Sequence, residues 1–144
     1  MAESEPVFET HSWSFVEYLE ERLWDFNRST TGVFDGNGLA LAYRDTNGEL
    51  IAGLAGHTWG GTCEVGQLWV RPEDRGRGLG RKLLQSAEQE ARRRGCHQVF
   101  LMTHSFQAPG FYRKLGYAEV GRMEDYPKGH AKLTSHKALD PASS

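Results

Sequence analysis

The sequence has little of what marks several other classes of protein. Cysteine occurs only twice in 144 residues, at Cys63 and Cys96, and neither belongs to a Cys-x-x-Cys pair. Two such thiols are too few for a disulfide framework or a zinc site, and the six histidines show no metal-ligand spacing, so no metal is expected. No apolar run approaches the ~18 residues of a membrane span, and the N-terminal stretch is acidic where a signal peptide is basic and then apolar. These absences predict a cytoplasmic protein with no membrane partner.

A surplus of positive charge is missing as well. Lys and Arg number 17 against 19 Asp and Glu, for a formal charge of −2, whereas a protein that binds nucleic acid through its phosphates usually has excess positive charge. No nucleic-acid partner is therefore expected. The length suits one domain, predicted over residues 1–139, with a frayed tail at 140–144. What the chain has in excess is glycine, at 17 residues, and the position of these glycines carries the argument about function.

The hydrophobic pattern predicts a mixed α/β (α+β) fold with a mostly antiparallel sheet. Spacing of three and four residues indicates helices, short apolar runs indicate strands, and Asn47-Gly48 is typical of a hairpin turn. The predicted order is β-α-β-β-β-α-β-α-β-β. The segments are a strand at 7–10, a helix at 12–27, strands at 39–44, 50–58 and 63–70, a helix at 79–95, a strand at 99–103, a helix at 108–115, and strands at 117–123 and 132–137.

The fourth predicted strand runs into a glycine-rich turn from which a helix opens. The turn contains Gly76, Gly78 and Gly80 and is flanked by arginines. Helix N-termini leave backbone N–H groups unpaired and carry partial positive charge, and glycines lack the Cβ atoms that would keep an anion away. The pattern therefore predicts a site for a phosphate or pyrophosphate, and the alternative is an ordinary glycine-rich turn beside a solvated basic face.

Two common nucleotide-binding loops do not fit this turn. A Walker loop requires Ser or Thr after its lysine, and Leu83 follows Lys82. The dinucleotide fingerprint Gly-x-Gly-x-x-Gly requires its third glycine one place later than Gly80, and no βαβ unit with a following acidic residue surrounds the turn.

What does fit is Arg-x-x-Gly-x-Gly, at residues 75–80, after a strand that ends in Val-x-Pro. A second segment, 108–117, reads Ala-x-x-x-Tyr-x-x-x-Gly-Tyr and places its first tyrosine at Tyr112. Together the two segments resemble motifs of the GNAT superfamily of acetyl-CoA-dependent N-acetyltransferases. The order of elements is similar to that family over about residues 7–139, nearly the whole chain. The resemblance implies a GNAT-type sheet with flanking helices, in which the fourth and fifth strands splay apart for the cofactor.

The resemblance also implies which residues would bind acetyl-CoA. The pantetheine arm would lie along the fourth strand, and the pyrophosphate would take backbone amides of the glycine loop. Relatives often have Asn seven residues before the tyrosine, where this chain has Ser105. The expected acetyl-CoA contacts are Leu68, Trp69, Val70, Arg75, Gly76, Arg77, Gly78, Leu79, Gly80, Arg81 and Ser105.

The family's reaction is direct attack of a neutral amine on the thioester. Tyr112 matches the family tyrosine that acts as general acid for the departing thiolate, and a fourth-strand backbone N–H would stabilise the oxyanion. The fifth strand offers no carboxylate, so Glu64 is the first candidate for the general base and His104 the second. Each of these three residues has a purely structural alternative. Tyr112 could be a core aromatic, Glu64 a solvent-facing strand residue, and His104 a hydrogen-bonding residue at a strand end.

The acceptor is expected between the first helix, the loop after it and the last strands. Acidic and aromatic side chains there would suit a cationic amine, through charge pairing and cation–π contact. Whether that amine belongs to a small molecule or to a protein is left open, and a homodimer is compatible with the family. The candidate residues are Trp24, Phe34, Asp35, Phe106, Asp125, Tyr126 and His130, with core packing as the alternative for Trp24 and Phe34.

Two other functions remain in view. The missing fifth-strand carboxylate favours, as an alternative to catalysis, a non-catalytic acyl-CoA-binding or sensor domain on the same fold. A nucleic-acid module that uses the cations at 71–82 is disfavoured by the overall negative charge.

Overall fold

The computed structural model describes residues 5–140, which form two compact units divided after Phe34. In the N-terminal unit, α1 spans Trp13–Thr31. The Ser12 hydroxyl caps this helix by accepting a hydrogen bond from the Phe15 N–H at 3.2 Å, and the helix ends at Gly32. None of the residues of α1 is buried. Of the tail expected at 140–144, only Asp140 is among the described residues.

The strand predicted at 7–10 is wrong. These residues form no strand, and the side chains of Val7 and Phe8 are both highly exposed. A short segment becomes a strand only where another strand supplies its hydrogen bonds, and residues 7–10 pair with no strand among the described residues. The strand predicted as the fourth is consequently the third in the structure.

The second unit contains a six-stranded sheet whose strand order is β1-β2-β3-β4-β6-β5. Neighbouring strands are antiparallel except β3 and β4, which are parallel, so the mixed, mostly antiparallel sheet is confirmed. The remaining predicted helices and strands occur within a few residues of their expected bounds. The strands are β1 (Asn37–Arg44), β2 (Leu50–Trp59), β3 (Thr62–Val70), β4 (Gln98–His104), β5 (Ala118–Glu124) and β6 (Ala131–Ala138), and the helices are α2 (Leu79–Arg93) and α3 (Pro109–Lys114).

The core of this unit lies under α2, which packs on β1, β2 and β3. The apolar stripe predicted for this helix is buried, with Leu84 and Ala91 wholly inaccessible to solvent. It meets the alternate side chains of the sheet that face the helix, among them Cys63, Val99 and Leu101. This packing holds the start of α2 against the end of β3.

The parallel pair β3–β4 separates halfway along its length. The two strands are in register only from Thr62 opposite Gln98 to Val65 opposite Leu101. Beyond that point β3 stays paired with β2 and β4 stays paired with β6, and β3 carries a register shift at Gly66. The expected splay is therefore present, and it leaves one edge of β3 unpaired from Gly66 onward.

Candidate active site

The glycine loop joins β3 to α2 by a short 3-10 turn, Pro72–Asp74, followed by two glycines with positive φ. Gly76 has φ 82° and Gly78, which precedes the first residue of α2, has φ 78°. Residues with a Cβ atom adopt this backbone conformation only at a cost, which explains why glycine stands at both positions.

The loop presents a row of unpaired amides. The first amide that bonds to the new helix belongs to Lys82, whose N–H donates to the Gly78 carbonyl at 3.1 Å. In the described part of the chain, the N–H groups of residues 76–81 donate to no acceptor. Together with the positive end of the helix dipole, they form a site suited to an anion such as a pyrophosphate.

The arginines around the loop differ in what they contact. Arg71 and Arg77 both bind the buried carboxylate of Asp74, each at 2.6 Å, and the hydrogen bond from Arg71 is the main cause that lowers the pKa of Asp74. Arg75 donates from Nε to the Val70 carbonyl at 3.0 Å. Arg81 lies exposed in the first turn of α2. The role of Asp74 as a partner of two of these arginines was not anticipated from the sequence.

The open edge of β3 can be assigned residue by residue. The N–H of Arg71 donates to the Ile51 carbonyl at 2.8 Å, so the backbone groups of Arg71 face β2. Because backbone groups alternate in direction along a strand, those of Trp69 also face β2, whereas those of Leu68 and Val70 face the splay. Of the three residues expected to contact the pantetheine arm, Leu68 and Val70 present backbone groups to the open side.

Tyr112 is buried in α3 next to the glycine loop. Its ring packs edge-on against Phe111 and Tyr117, with centroids 5.1 and 6.0 Å away. A Cβ atom on Gly80 would lie 3.4 Å from the Phe111 ring and 3.6 Å from Val70, so α3 adjoins both the start of α2 and the end of β3.

The Tyr112 hydroxyl is available to a ligand. It has no hydrogen-bond partner among the described residues, although the residue is only 9% exposed. Burial raises the pKa of the Tyr112 phenol, so the group stays protonated at neutral pH. A protonated, uncommitted hydroxyl is what a proton donor requires.

The two candidate bases lie at opposite ends of the region where the strands part. Glu64 is half-buried on β3 two residues before Gly66, and its carboxylate has no ion pair or hydrogen bond among the described residues. His104 ends β4, with its Nδ1 3.2 Å from the Tyr126 carbonyl oxygen. Since a carbonyl only accepts, Nδ1 is the donor, which leaves Nε2 as an acceptor in the neutral ring.

Ser105 is engaged by the protein itself. Its N–H donates to the Ala131 carbonyl at 2.7 Å, and its hydroxyl oxygen accepts from the Ala131 N–H at 2.9 Å. These two bonds tie the chain after β4 to the start of β6.

Three of the predicted acceptor residues come together with His104. The His104 ring stacks on Phe106 at 5.2 Å and lies 5.3 Å from Tyr126, and Phe106 meets His130 edge-on at 5.1 Å. Beside this aromatic cluster is an open groove of about 330 Å³. Its lining residues are Ser105, Arg122, Glu124, Asp125, Gly129, His130 and Ala131.

Three other predicted acceptor residues, Asp35, Trp24 and Phe34, are not among the residues that line this groove. The Asp35 carboxylate accepts a hydrogen bond from the Gly60 N–H at 3.0 Å, so it supports the turn between β2 and β3. Trp24 and Phe34 belong to the N-terminal unit, where Trp24 is half-buried and Phe34 is exposed. Core packing is therefore wrong for Phe34. One lining residue, Arg122, was not anticipated, because it lies within β5 and nothing in the local sequence marks it as part of a site.

Within residues 5–140, no helix is long and apolar enough to cross a membrane, and no group of three or more His, Cys, Asp or Glu side chains could hold a metal ion. Cys63 and Cys96 are free and buried, and burial raises the pKa of the Cys63 thiol to about 11. Both cysteines belong to the hydrophobic core.

Comparison with known proteins finds one family model and several relatives that are similar to this chain. A family model described as "Acetyltransferase (GNAT) family" matches residues 4–117. Blasticidin-S acetyltransferase of Streptomyces morookaense is 44% identical over 90 residues, which cover 62% of this chain and 64% of that protein. The chain thus spans a little less than two thirds of that relative's length.

Two further relatives cover more of the chain. An acetyltransferase of Agrobacterium fabrum is 31% identical over 113 residues, 78% of this chain and 82% of that protein. The crystal structure of an acetyltransferase from Bacillus cereus is 32% identical, covers 93% of this chain and 98% of its own, and superposes with a TM-score of 0.77.

Proposed function

We propose a reaction for this chain, which belongs to the acetyltransferase (GNAT) family: it transfers an acetyl group from acetyl-CoA to a primary amine of a small molecule. Family membership confirms the expected enzyme class and the expected acetyl donor. The acceptor, the residue roles and the mechanism are the parts that we propose here.

The observation that carries the proposal is the row of unpaired amides at residues 76–81 beside the splayed strands. The amides and the nearby Arg81 suit a pyrophosphate, and the open edge of β3 suits an extended arm that pairs with backbone groups. Acetyl-CoA, when bound, supplies a thioester carbonyl open to attack and a thiol as leaving group. The residues present therefore fit this cofactor.

The backbone of β3 has two tasks in this proposal. The N–H and C=O of Leu68 and the N–H of Val70 would hold the arm along the open edge, since the Val70 carbonyl is already bonded to Arg75. A backbone N–H on this edge would also stabilise negative charge on the reacting carbonyl oxygen. Such fixed donors are effective because they need no reorganisation during the reaction.

Tyr112 would hold the proton that the thiolate needs. Its hydroxyl has no partner among the described residues and its pKa is raised by burial, so it is fully protonated when the thiolate forms. A phenol with an ordinary pKa of about 10 is a weak acid for a thiol whose pKa is about 8.5, so position rather than acidity must make the transfer effective.

Glu64 would act as the general base, through water, because it lies on β3 just before the strands separate. His104 is the second candidate, because its free Nε2 is an acceptor.

The groove beside the aromatic cluster would bind the acceptor. Glu124 and Asp125 outnumber Arg122 among its charged side chains, so the groove favours a cationic amine. Its volume of about 330 Å³ suits a small molecule. The similarity to a blasticidin-S acetyltransferase supports a small-molecule acceptor of this kind.

The test is release of the CoA thiol in the presence of a panel of amines. The panel contains blasticidin S, aminoglycosides, polyamines and a lysine-containing peptide. We expect release with at least one cationic small molecule and none with the peptide. Acetyl-CoA binding without release across the panel would instead support the non-catalytic sensor.

The same assay tests the choice of base. Glu64→Gln should remove the acidic limb of the pH–rate profile, because that limb reports protonation of the base. Loss of the limb in His104→Gln alone would assign the base to His104.

A further inference from the structure

A negative charge lies in the middle of the loop proposed to bind a pyrophosphate. Asp74 is only 7% exposed, and both of its carboxylate oxygens are occupied. Oδ2 accepts from Arg71 Nε and Oδ1 accepts from Arg77 Nη1, both at 2.6 Å. A carboxylate at this place repels a bound anion, so its presence calls for a physical reason.

The two arginines differ in what else they contact. Arg71 is half-buried, with Glu73 at 3.2 Å and with Asp45 and Glu49 of the β1–β2 turn at 3.8 Å. Four carboxylates therefore surround it. This arginine is committed to the protein and anchors the loop to the neighbouring hairpin.

Arg77, by contrast, is held at one end only. Its side chain is 60% exposed, and Nη1 binds Asp74 while Nε and Nη2 have no partner among the described residues. The guanidinium is thus fixed in place with donors still free for an anion.

We propose that Asp74 is a positioning residue for the acetyl-CoA loop: it joins Arg71 to Arg77 across the 3-10 turn and so holds the Arg77 guanidinium and the amides of residues 76–78 ready before the cofactor binds. The inference rests on the proposed function. We call the two ion pairs that join Arg71, Asp74 and Arg77 the clamp. Without it, a loop whose glycines permit many backbone conformations would have to be ordered at the moment of binding, which weakens affinity.

Positioning and simple charge predict opposite results for Asp74→Asn. Removal of a negative charge beside the site should strengthen anion binding if charge alone matters. If Asp74 positions the loop, the same change weakens binding. We expect the Kd and the KM for acetyl-CoA to rise by about tenfold with kcat little changed, because the clamp acts on cofactor binding and not on the reacting groups.

The matched control is Glu73→Gln, which removes the same charge from the neighbouring exposed residue without breaking the clamp. Its Kd for acetyl-CoA should stay the same or fall slightly. The double variant Arg71→Gln/Asp74→Asn covers the case in which Asp74→Asn alone is too unstable to measure. It removes the anchoring ion pair with no change in net charge and should also bind acetyl-CoA more weakly.

The experiment is isothermal titration of each variant with acetyl-CoA, with a thermal transition recorded to show that the variant is folded. Unchanged or tighter binding by a folded Asp74→Asn, or by the double variant, would overturn the role of Asp74 and leave the proposed function intact. Absence of acetyl-CoA binding by the unaltered protein would instead overturn the proposed function.

Discussion

Tyr112 is the side chain that donates a proton to the leaving thiolate in the proposed chemistry. One feature sets it apart from a packing residue: its hydroxyl has no partner among the described residues, although the residue is buried and burial raises the pKa of the phenol. Tyr117 nearby shows the contrast: its phenol is also buried, but its hydroxyl donates to Glu88 at 2.7 Å. Two tyrosines with rings 6.0 Å apart thus differ in their hydrogen bonding, and only the Tyr112 hydroxyl is without a partner among the described residues.

The change Tyr112→Phe should lower kcat by about tenfold or more and leave the Kd for acetyl-CoA nearly unchanged. The variant keeps the packing against Phe111 and removes only the proton donor. The measurement is CoA release with the best amine of the panel, with binding by titration in parallel. Tyr43→Phe, the same chemical change on β1, is the control. Wild-type turnover in Tyr112→Phe would exclude Tyr112 from the mechanism.

At the scale of the elements, one buried carboxylate on α2 joins this helix to the chain just before β5 and to β6. Glu88 accepts from the Tyr117 hydroxyl and from Lys137 Nζ at 3.0 Å, with its side chain only 5% exposed. Tyr117 directly precedes β5, and Lys137 lies on β6. The Tyr117 N–H also donates to the Tyr112 carbonyl, so the same contact supports the end of α3.

Glu88→Gln should therefore destabilise the protein by about 3 kcal/mol, because it leaves Lys137 without a counter-charge in a largely buried place. The free energy of unfolding in urea measures this. Glu119→Gln is the control: it breaks an ion pair with Arg122 in which both side chains are more than 40% exposed, and such pairs contribute about 1 kcal/mol or less. Equal effects of the two changes would show that the Glu88 contact is no stronger than a surface pair.

At the scale of the whole molecule, the proposed anion loop, the open edge of β3, Tyr112 and the proposed acceptor groove are all built from residues after Phe34. β3 and β4 stay parallel and paired at one end and part at the other, which opens the edge of β3 that follows Gly66. A ligand that spans these parts would tie together segments that are distant in sequence, and it should therefore stabilise the folded state of the chain.

Acetyl-CoA at about 100 times its Kd should raise the free energy of unfolding by about 2.7 kcal/mol. For a chain of this size that corresponds to a rise in Tm of roughly 5–10 °C. Free CoA should give a similar shift, because it carries the same pyrophosphate and arm, and NADH should give none. No shift at millimolar acetyl-CoA would mean that the glycine loop has only a structural role.

Much of this protein follows from short stretches of its sequence. Helical spacing predicts α1 and α2, the Asn47-Gly48 pair predicts a hairpin, and the positions of Gly76 and Gly78 indicate an anion loop. These features depend on residues a few positions apart, so their physical causes are contained in the local sequence. The strand predicted at 7–10 failed for the complementary reason, since a strand needs a partner that local sequence cannot supply.

Which distant residues meet is a property of the folded chain. Asp74 joins Arg71 to Arg77, Glu88 meets residues 29 and 49 positions away, and Leu68 and Val70 rather than Trp69 face the splay. Side-chain partners across such separations are chosen by the packing of entire elements and by strand register. The amino-acid order by itself therefore determines most of the elements, the motifs and the glycine loop. Packing sets the geometry of the proposed site, because burial and long-range hydrogen bonds exist only once the chain is folded.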